Sequence, residues 1–282
     1  MNEESLKLQE LAKKLLPEIT TDENVEAVSI VGSVAYGMSD SASDIDLLIL
    51  FNKLTDEKIE QIKKFWTPRK PIYVIGGKEA GFITVGRFVD KVKIDFGHLR
   101  RNYYDEIIEN VCVKGKTDLE QQAALFGLLN STVLFGENYI EQFRKKIRNY
   151  PDKLQTAMLK TFCHFTPKCV YDKMIVDRND KLFFYESALR DLNNVIAVLF
   201  SLNKIYHPGK AKGIGWILEK QFKIKPKNLE QKIDLVLTSS LKKGTKVLFE
   251  LINETMDLVS EIRPNFDLSF TKSRMNLVLR ES

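Results

Sequence analysis

VSIVGSVAYGMSDSASDIDLLILF, residues 28–51, sets two carboxylates, Asp44 and Asp46, at the head of an otherwise apolar strand. Side chains alternate across a strand, so the two acids share one face while Ile45 points to the other. Like charges at that spacing repel, and without a cation, a basic group or a proton between them the arrangement costs stability. The surrounding residues must say what the partner is.

Gly32 and Ser33 stand where the preceding strand, VEAVSIV, ends. Glycine there lets the backbone approach a ligand closely, and free N–H groups at a helix start favour an anion. One loop can thus present amides for phosphate and carboxylates for a hard cation to the same point, with Ser43, next to Asp44, a further candidate for nucleotide binding. Oxygen ligands of this kind suit Mg2+, which takes one or two carboxylates together with substrate phosphates. A two-metal site needs a third acid. Asp95 in KVKIDFGHL, flanked by Val92, Ile94 and Phe96, is the candidate, and as a general base it would take the proton of an acceptor hydroxyl. The competing reading pairs Asp95 with Lys91 or Lys93 as an ordinary surface feature. His98 reads as a hydrogen-bonded structural residue ahead of a substrate contact, and Arg87 and Lys93 as solvent-facing strand residues ahead of phosphate ligands.

Gly32-Ser33, the spacer, Asp44-Ile45-Asp46 and the later Asp95 resemble the signature of the nucleotidyltransferase superfamily, which includes DNA polymerase β, kanamycin and lincosamide nucleotidyltransferases and small adenylyltransferase antitoxins. The form GSVAYG with SDIDL is similar to the bacterial and archaeal branch that carries a helical C-terminal domain. The resemblance is specific over residues 28–51 and only architectural beyond residue 118. It implies a mixed-sheet catalytic domain, two Mg2+ ions, and an NTP, with ATP taken first. It also implies transfer of a nucleoside monophosphate with release of pyrophosphate. By match to the motif, Gly32 and Ser33 would hold the β- and γ-phosphates, Asp44 and Asp46 would bind metal, and Asp95 would bind the catalytic metal and activate the acceptor. A copy of the fold that binds without turnover remains an alternative, because fold does not dictate function.

Working outward, the first hundred or so residues read as strands separated by helices. From Asp118 onward the pattern turns to long helical segments, including DLEQQAALFGLLNSTVLF and KLFFYESALRDLNNVIAVLFSLNKIY, which read as a helical bundle. The expected class is α+β, with a nucleotidyltransferase domain over residues 1–116 and an all-α, substrate-binding domain over residues 117–282. In the long helix, Glu186, Arg190, Asn193, Asn194, Ser201 and Lys204 lie along one stripe that is either a solvent face or a cleft lining. Arg190, together with Lys210 and Lys212 after the Pro-Gly break in YHPGKAKG, is a candidate nucleotide ligand.

With 282 residues, of which 44% are hydrophobic and 29% charged, the chain can bury a real core. A net charge of +5 is compatible with a polyanionic ligand but too mild to imply a nucleic-acid binder, so a small hydroxyl-bearing acceptor is favoured over RNA or protein. Three cysteines argue against a disulfide framework, and Cys163-His164 with Cys169 lacks the paired spacing of a zinc site. The opening MNEESLKLQELAKKLL reads as a charged helix, not a signal peptide, and the most apolar window, ALRDLNNVIAVLFSL, carries Arg190 and Asp191. The expected protein is cytoplasmic, off the membrane, and a monomer or homodimer.

Overall fold

The structure is a computed structural model that describes residues 1–278. Two compact units divide it, the first comprising residues 1–110 and 120–149, the second residues 111–119 and 150 onward.

In the first unit, helix α1 (Glu3–Lys14) is capped by Asn2, whose side chain accepts from Ser5 N–H at 2.9 Å. The following Leu-Pro gives only a short helix, α2 (Leu16–Ile19), since proline is tolerated in a first turn but not farther in. Then come β1 (Val25–Val31), α3 (Gly32–Tyr36), β2 (Ile45–Phe51) and α4 (Asp56–Trp66). Helix α4 has Thr55 as its N-cap, acids in its first turn and lysines in its last, the arrangement the helix dipole favours. Strands β3 (Tyr73–Gly77), β4 (Phe82–Val89) and β5 (Val92–Arg100) precede α5 (Asn102–Ile108), α6 (Leu119–Leu129), β6 (Thr132–Phe135) and α7 (Glu137–Ile147).

The six strands form one mixed sheet in the order β3-β4-β5-β2-β1-β6, and the β2–β5 pair is parallel while the others are antiparallel. Alternation gives the sheet two different faces. Ile45, Leu47, Ile49 and Phe51 of β2 lie with Ile94 and Phe96 of β5 in a buried cluster that also takes in Leu8 and Ala12 of α1 and Ile59, Ile62 and Trp66 of α4. Asp46 and Asp95 belong to the opposite face.

The sheet does not end where the sequence pattern suggests. Thr132–Phe135, read from sequence as the tail of a helix, is the edge strand β6, paired with Val28–Ile30 of β1. The β-branched Thr132 and Val133 suit a strand, and pairing along β1 decides a stretch too short for periodicity to settle. This pairing carries residues 120–149 into the first compact unit, past the division expected after residue 116. Helix α6 then lies on the carboxylate face, with Gly127 next to Val31 and the Phe126 ring 5.4 Å from that of Tyr36.

The second unit is helical: α8 (Asp152–Phe162), α9 (Lys168–Val170), α10 (Lys181–Leu202), α11 (Ile214–Lys220), α12 (Leu229–Thr238), α13 (Leu241–Ile262) and α14 (Ser269–Met275). Helices α10 and α13 form its centre, burying residues such as Leu192, Val195 and Leu199 against a bundle that includes Leu248 and Ile252. Among the described residues, no helix is long and apolar enough to cross a membrane.

Candidate active site

Strand register builds the site. Tyr73 pairs with Gly86, Gly86 with Asp95, Asp95 with Asp46, and Asp46 with Val31, so one row runs across five strands on the carboxylate face. Asp46 and Asp95, far apart in sequence, are direct cross-strand neighbours, as the third-acid reading required. Gly86 leaves a gap in this row: a Cβ there would meet the Tyr73 ring at 2.4 Å. Across that gap Tyr73 donates its hydroxyl to Asp95 Oδ1. Gly32 plays a comparable part beside Asp46. Its φ of +73° is the left-handed conformation that favours glycine, and a Cβ would come within 2.7 Å of Asp46 Oδ2.

A basic group, Lys93, stands between Asp44 and Asp95. Two residues before Asp95 on β5, it lies on the same face, and its Nζ donates to Asp44 Oδ2 at 2.9 Å and to Asp95 Oδ2 at 2.8 Å. The same ammonium lies 5.5 Å from the centroid of the Tyr73 ring. Partial burial pulls the Lys93 pKa down, but the hydrogen bonds to Asp95 and Asp44 outweigh it and leave the pKa above the ordinary lysine value. Tyr36, at the end of α3, is pushed up to about 12 by burial, with the Asp46 charge adding to the effect and a hydrogen bond from the Gly32 backbone opposing it.

Other sequence candidates are placed differently. Ser43 closes the turn that begins at Asp40: its hydroxyl accepts from Asp40 N–H at 3.0 Å and donates to Asp40 Oδ1 at 3.1 Å. Arg87 pairs with Ile94 in register, which puts it on the face opposite the acids, with its guanidinium 5.6 Å from the Trp66 ring. His98 is buried on that face, contacting Ile83 O through Nδ1 at 3.1 Å and accepting at Nε2 from Trp66 Nε1–H at 3.4 Å. Burial pushes its pKa down to about 4, so it is a neutral structural histidine.

Arg190, Lys210 and Lys212 belong to the second unit. Arg190 donates to Thr166 Oγ1 at 2.8 Å, and Lys210 and Lys212 lie on an exposed loop. The stripe on α10 is not continuous. Glu186, Arg190 and Asn193 are exposed, whereas Ser201 is buried and donates to Gln155 O, and Lys204 pairs with Asp152. Tyr73 and Gly86 were missed by the sequence reading, although an isolated glycine inside a strand pattern signals close approach by another group.

Among the described residues, no set of three or more His, Cys, Asp or Glu side chains is arranged to hold a metal ion. Asp44 and Asp95 share the Lys93 ammonium instead, which shows that their oxygens converge on one cation. Carboxylate oxygens facing one point are donors of the kind a hard divalent ion takes, and Asp46 lies next to Asp95 in register.

Residues 12–111 match the nucleotidyltransferase domain family, and residues 119–212 match a domain of unknown function, DUF4037. The N-terminal part of the chain is thus a domain of the nucleotidyltransferase superfamily. The matched segments are separated by residues 112–118, while the first compact unit reaches to residue 149 through β6. No curated protein matches. Among solved structures, a nucleotidyltransferase-like protein from Exiguobacterium sibiricum 255-15 aligns at 10% identity and a TM-score of 0.41, covering 94% of this chain and 80% of that one, a likeness too slight to argue from.

Proposed function

We propose that the chain moves a nucleoside monophosphate from an NTP to a hydroxyl on a small-molecule acceptor, releasing pyrophosphate. The observation that carries this reading is the row on the sheet. It sets Asp95 opposite Asp46 with Asp44 beside them, in a nucleotidyltransferase domain. Asp44, Asp46 and Asp95 would hold Mg2+, which would neutralise the triphosphate and lower the pKa of the acceptor hydroxyl. Gly32 leaves room for Asp46 and, with Ser33, meets the phosphates. Asp95, oriented by the Tyr73 hydroxyl, takes the proton of the acceptor as its oxygen attacks the α-phosphorus and the bond to pyrophosphate breaks. The mild net charge supports a small acceptor over a nucleic acid.

The test is calorimetric titration of the four NTPs with Mg2+, wild type beside the Asp44→Asn/Asp46→Asn double mutant, followed by a pyrophosphate-release screen over hydroxyl compounds. Metal-dependent binding that the mutant loses supports the reading. A second reading, a nucleotide-binding or partner-binding module without turnover, is favoured by the Lys93 ammonium between Asp44 and Asp95. Binding of Mg-ATP without pyrophosphate release under any acceptor would select it.

A further inference from the structure

Lys93 is the one feature of the acidic row that neither the motif nor the proposed chemistry uses. Both oxygens of Asp95 are engaged, Oδ2 by the Lys93 ammonium and Oδ1 by the Tyr73 hydroxyl, and the same ammonium holds Asp44 Oδ2. The lysine therefore stands where a cation bridging Asp44 and Asp95 would stand.

Its hold is of a kind that can be exchanged. The Lys93 and Asp44 side chains are each about one-third exposed, at 32% and 31%. Ion pairs open to water to this extent are weak enough to be displaced. A lysine is also a point charge on a flexible stem with three rotatable donors, able to leave one acceptor for another nearby. A divalent ion competing for the same oxygens must release this ammonium, and the ammonium then needs another anion.

We infer that Lys93 is the resident cation of this site, neutralising Asp44 and Asp95 in the absence of a divalent ion and transferring to nucleotide phosphate when metal and nucleotide enter together. This inference rests on the nucleotide-transfer reading above and adds a binding order to it. Metal alone competes with the ammonium and binds weakly. Metal with a triphosphate binds well, because the phosphates receive the displaced charge. The two ligands are then positively coupled, and by linkage each strengthens the other by the same factor.

The test uses the full chain and two separate affinities: Mn2+ alone, read by electron paramagnetic resonance, and an α,β-methylene ATP analogue at saturating Mg2+, read by calorimetry. Wild type, Lys93→Met, Lys93→Arg and the Asp44→Asn/Asp46→Asn double mutant are compared. Lys93→Met should bind Mn2+ alone about tenfold more tightly than wild type and the nucleotide about tenfold less tightly, the size of effect that one charge contact of this kind supplies. Lys93→Arg, which keeps the charge, should leave Mn2+ binding weak. A damaged fold would weaken both affinities, so the opposite signs are the signature. If Lys93→Met leaves Mn2+ affinity unchanged or weaker while the double mutant abolishes it, the resident-cation role is overturned and the nucleotide site stands. If no variant, wild type included, binds either Mn2+ or nucleotide, both readings fall.

Discussion

Asp95 in the first unit and Asp191 in the second are acids set among apolar neighbours, held in opposite ways. Asp191 is fully buried on α10. It accepts from Thr166 N–H and Thr166 Oγ1 at 3.2 Å and from the Tyr171 hydroxyl at 2.9 Å, all neutral donors. Burial raises its pKa, and the bonds from Tyr171 and Thr166, with the nearby Arg190 charge, pull it back. Asp95 keeps 19% of its side chain exposed and is held by one phenol and one ammonium. These neutral donors tie the 166–171 segment to α10. A mobile charged donor leaves a place that another cation can take. It is their partners that separate a structural acid from one placed at a site.

The strongest way to break this contrast is at the proposed metal ligands. Asp44→Asn/Asp46→Asn should lower turnover by about a thousandfold or more, the range seen when preorganised charge is removed from a reacting site. The cost in stability should stay within about 1 kcal/mol, because the pair with Lys93 is partly exposed. Pyrophosphate release and urea unfolding measure the two effects, and full activity would remove these acids from the chemistry.

A second effect belongs to the far face of the sheet. His98 has a folded-state pKa of about 4 against an ordinary value of 6.5, so it stays neutral where the unfolded chain binds a proton. Above pH 6.5 neither state is protonated there and stability is unaffected. As pH falls from 6.5 toward 4 the unfolded state gains the proton first, and about 3 kcal/mol is lost over that window. His207 in the second unit, pushed to about 4 by burial, adds to the same slope. His98→Gln, which can still meet Ile83 O and Trp66, should flatten the urea-unfolding profile between those values. An unchanged slope would mean that His98 is not the group responsible.

At Asp191, replacement by Asn turns one acceptor oxygen into an NH2 that the Tyr171 hydroxyl can meet only by turning to accept, and the loss of a buried charged acceptor should cost about 2 kcal/mol of stability. Nucleotide affinity should not change. A loss of nucleotide binding without a loss of stability would reverse the assignment of the two acids.

How much of this was legible follows from what each signal depends on. The Gly-Ser turn, the Asp44-Ile45-Asp46 pair and the strand around Asp95 are local patterns, legible in the sequence itself. The parallel pairing of β2 with β5 that makes Asp46 and Asp95 neighbours is not local, but it needed only the guess that the two strands adjoin. β6 was lost because its four residues follow a helical run and acquire strand structure only by pairing with β1. Lys93 was seen as a possible partner of Asp95, yet its bridge to Asp44 is set by register between two strands. Tyr73 gave no signal of its own, since an aromatic residue on an edge strand is ordinary. Asp191 was read only as a charge that rules out a membrane span.

The smallest expected effect tests how tightly Asp95 is positioned. Gly86→Ala would put a methyl group into the Tyr73 ring, whose nearest atoms lie 2.4 and 2.5 Å from the new Cβ. Tyr73 is on the edge strand and half-buried, so the ring can swing aside, and stability should fall by only about 1 kcal/mol. Asp95 then loses the phenol that fixes Oδ1, and turnover should fall about tenfold, with nucleotide affinity little changed. Tyr73→Phe separates the two consequences, since it keeps the ring over Gly86 and removes only the hydroxyl. Matching losses of turnover in both variants, with strain in Gly86→Ala alone, would identify the hydroxyl as what orients the base. If Tyr73→Phe turns over like wild type while Gly86→Ala does not, Asp95 is held by Lys93, and the glycine serves only to let the strands pack.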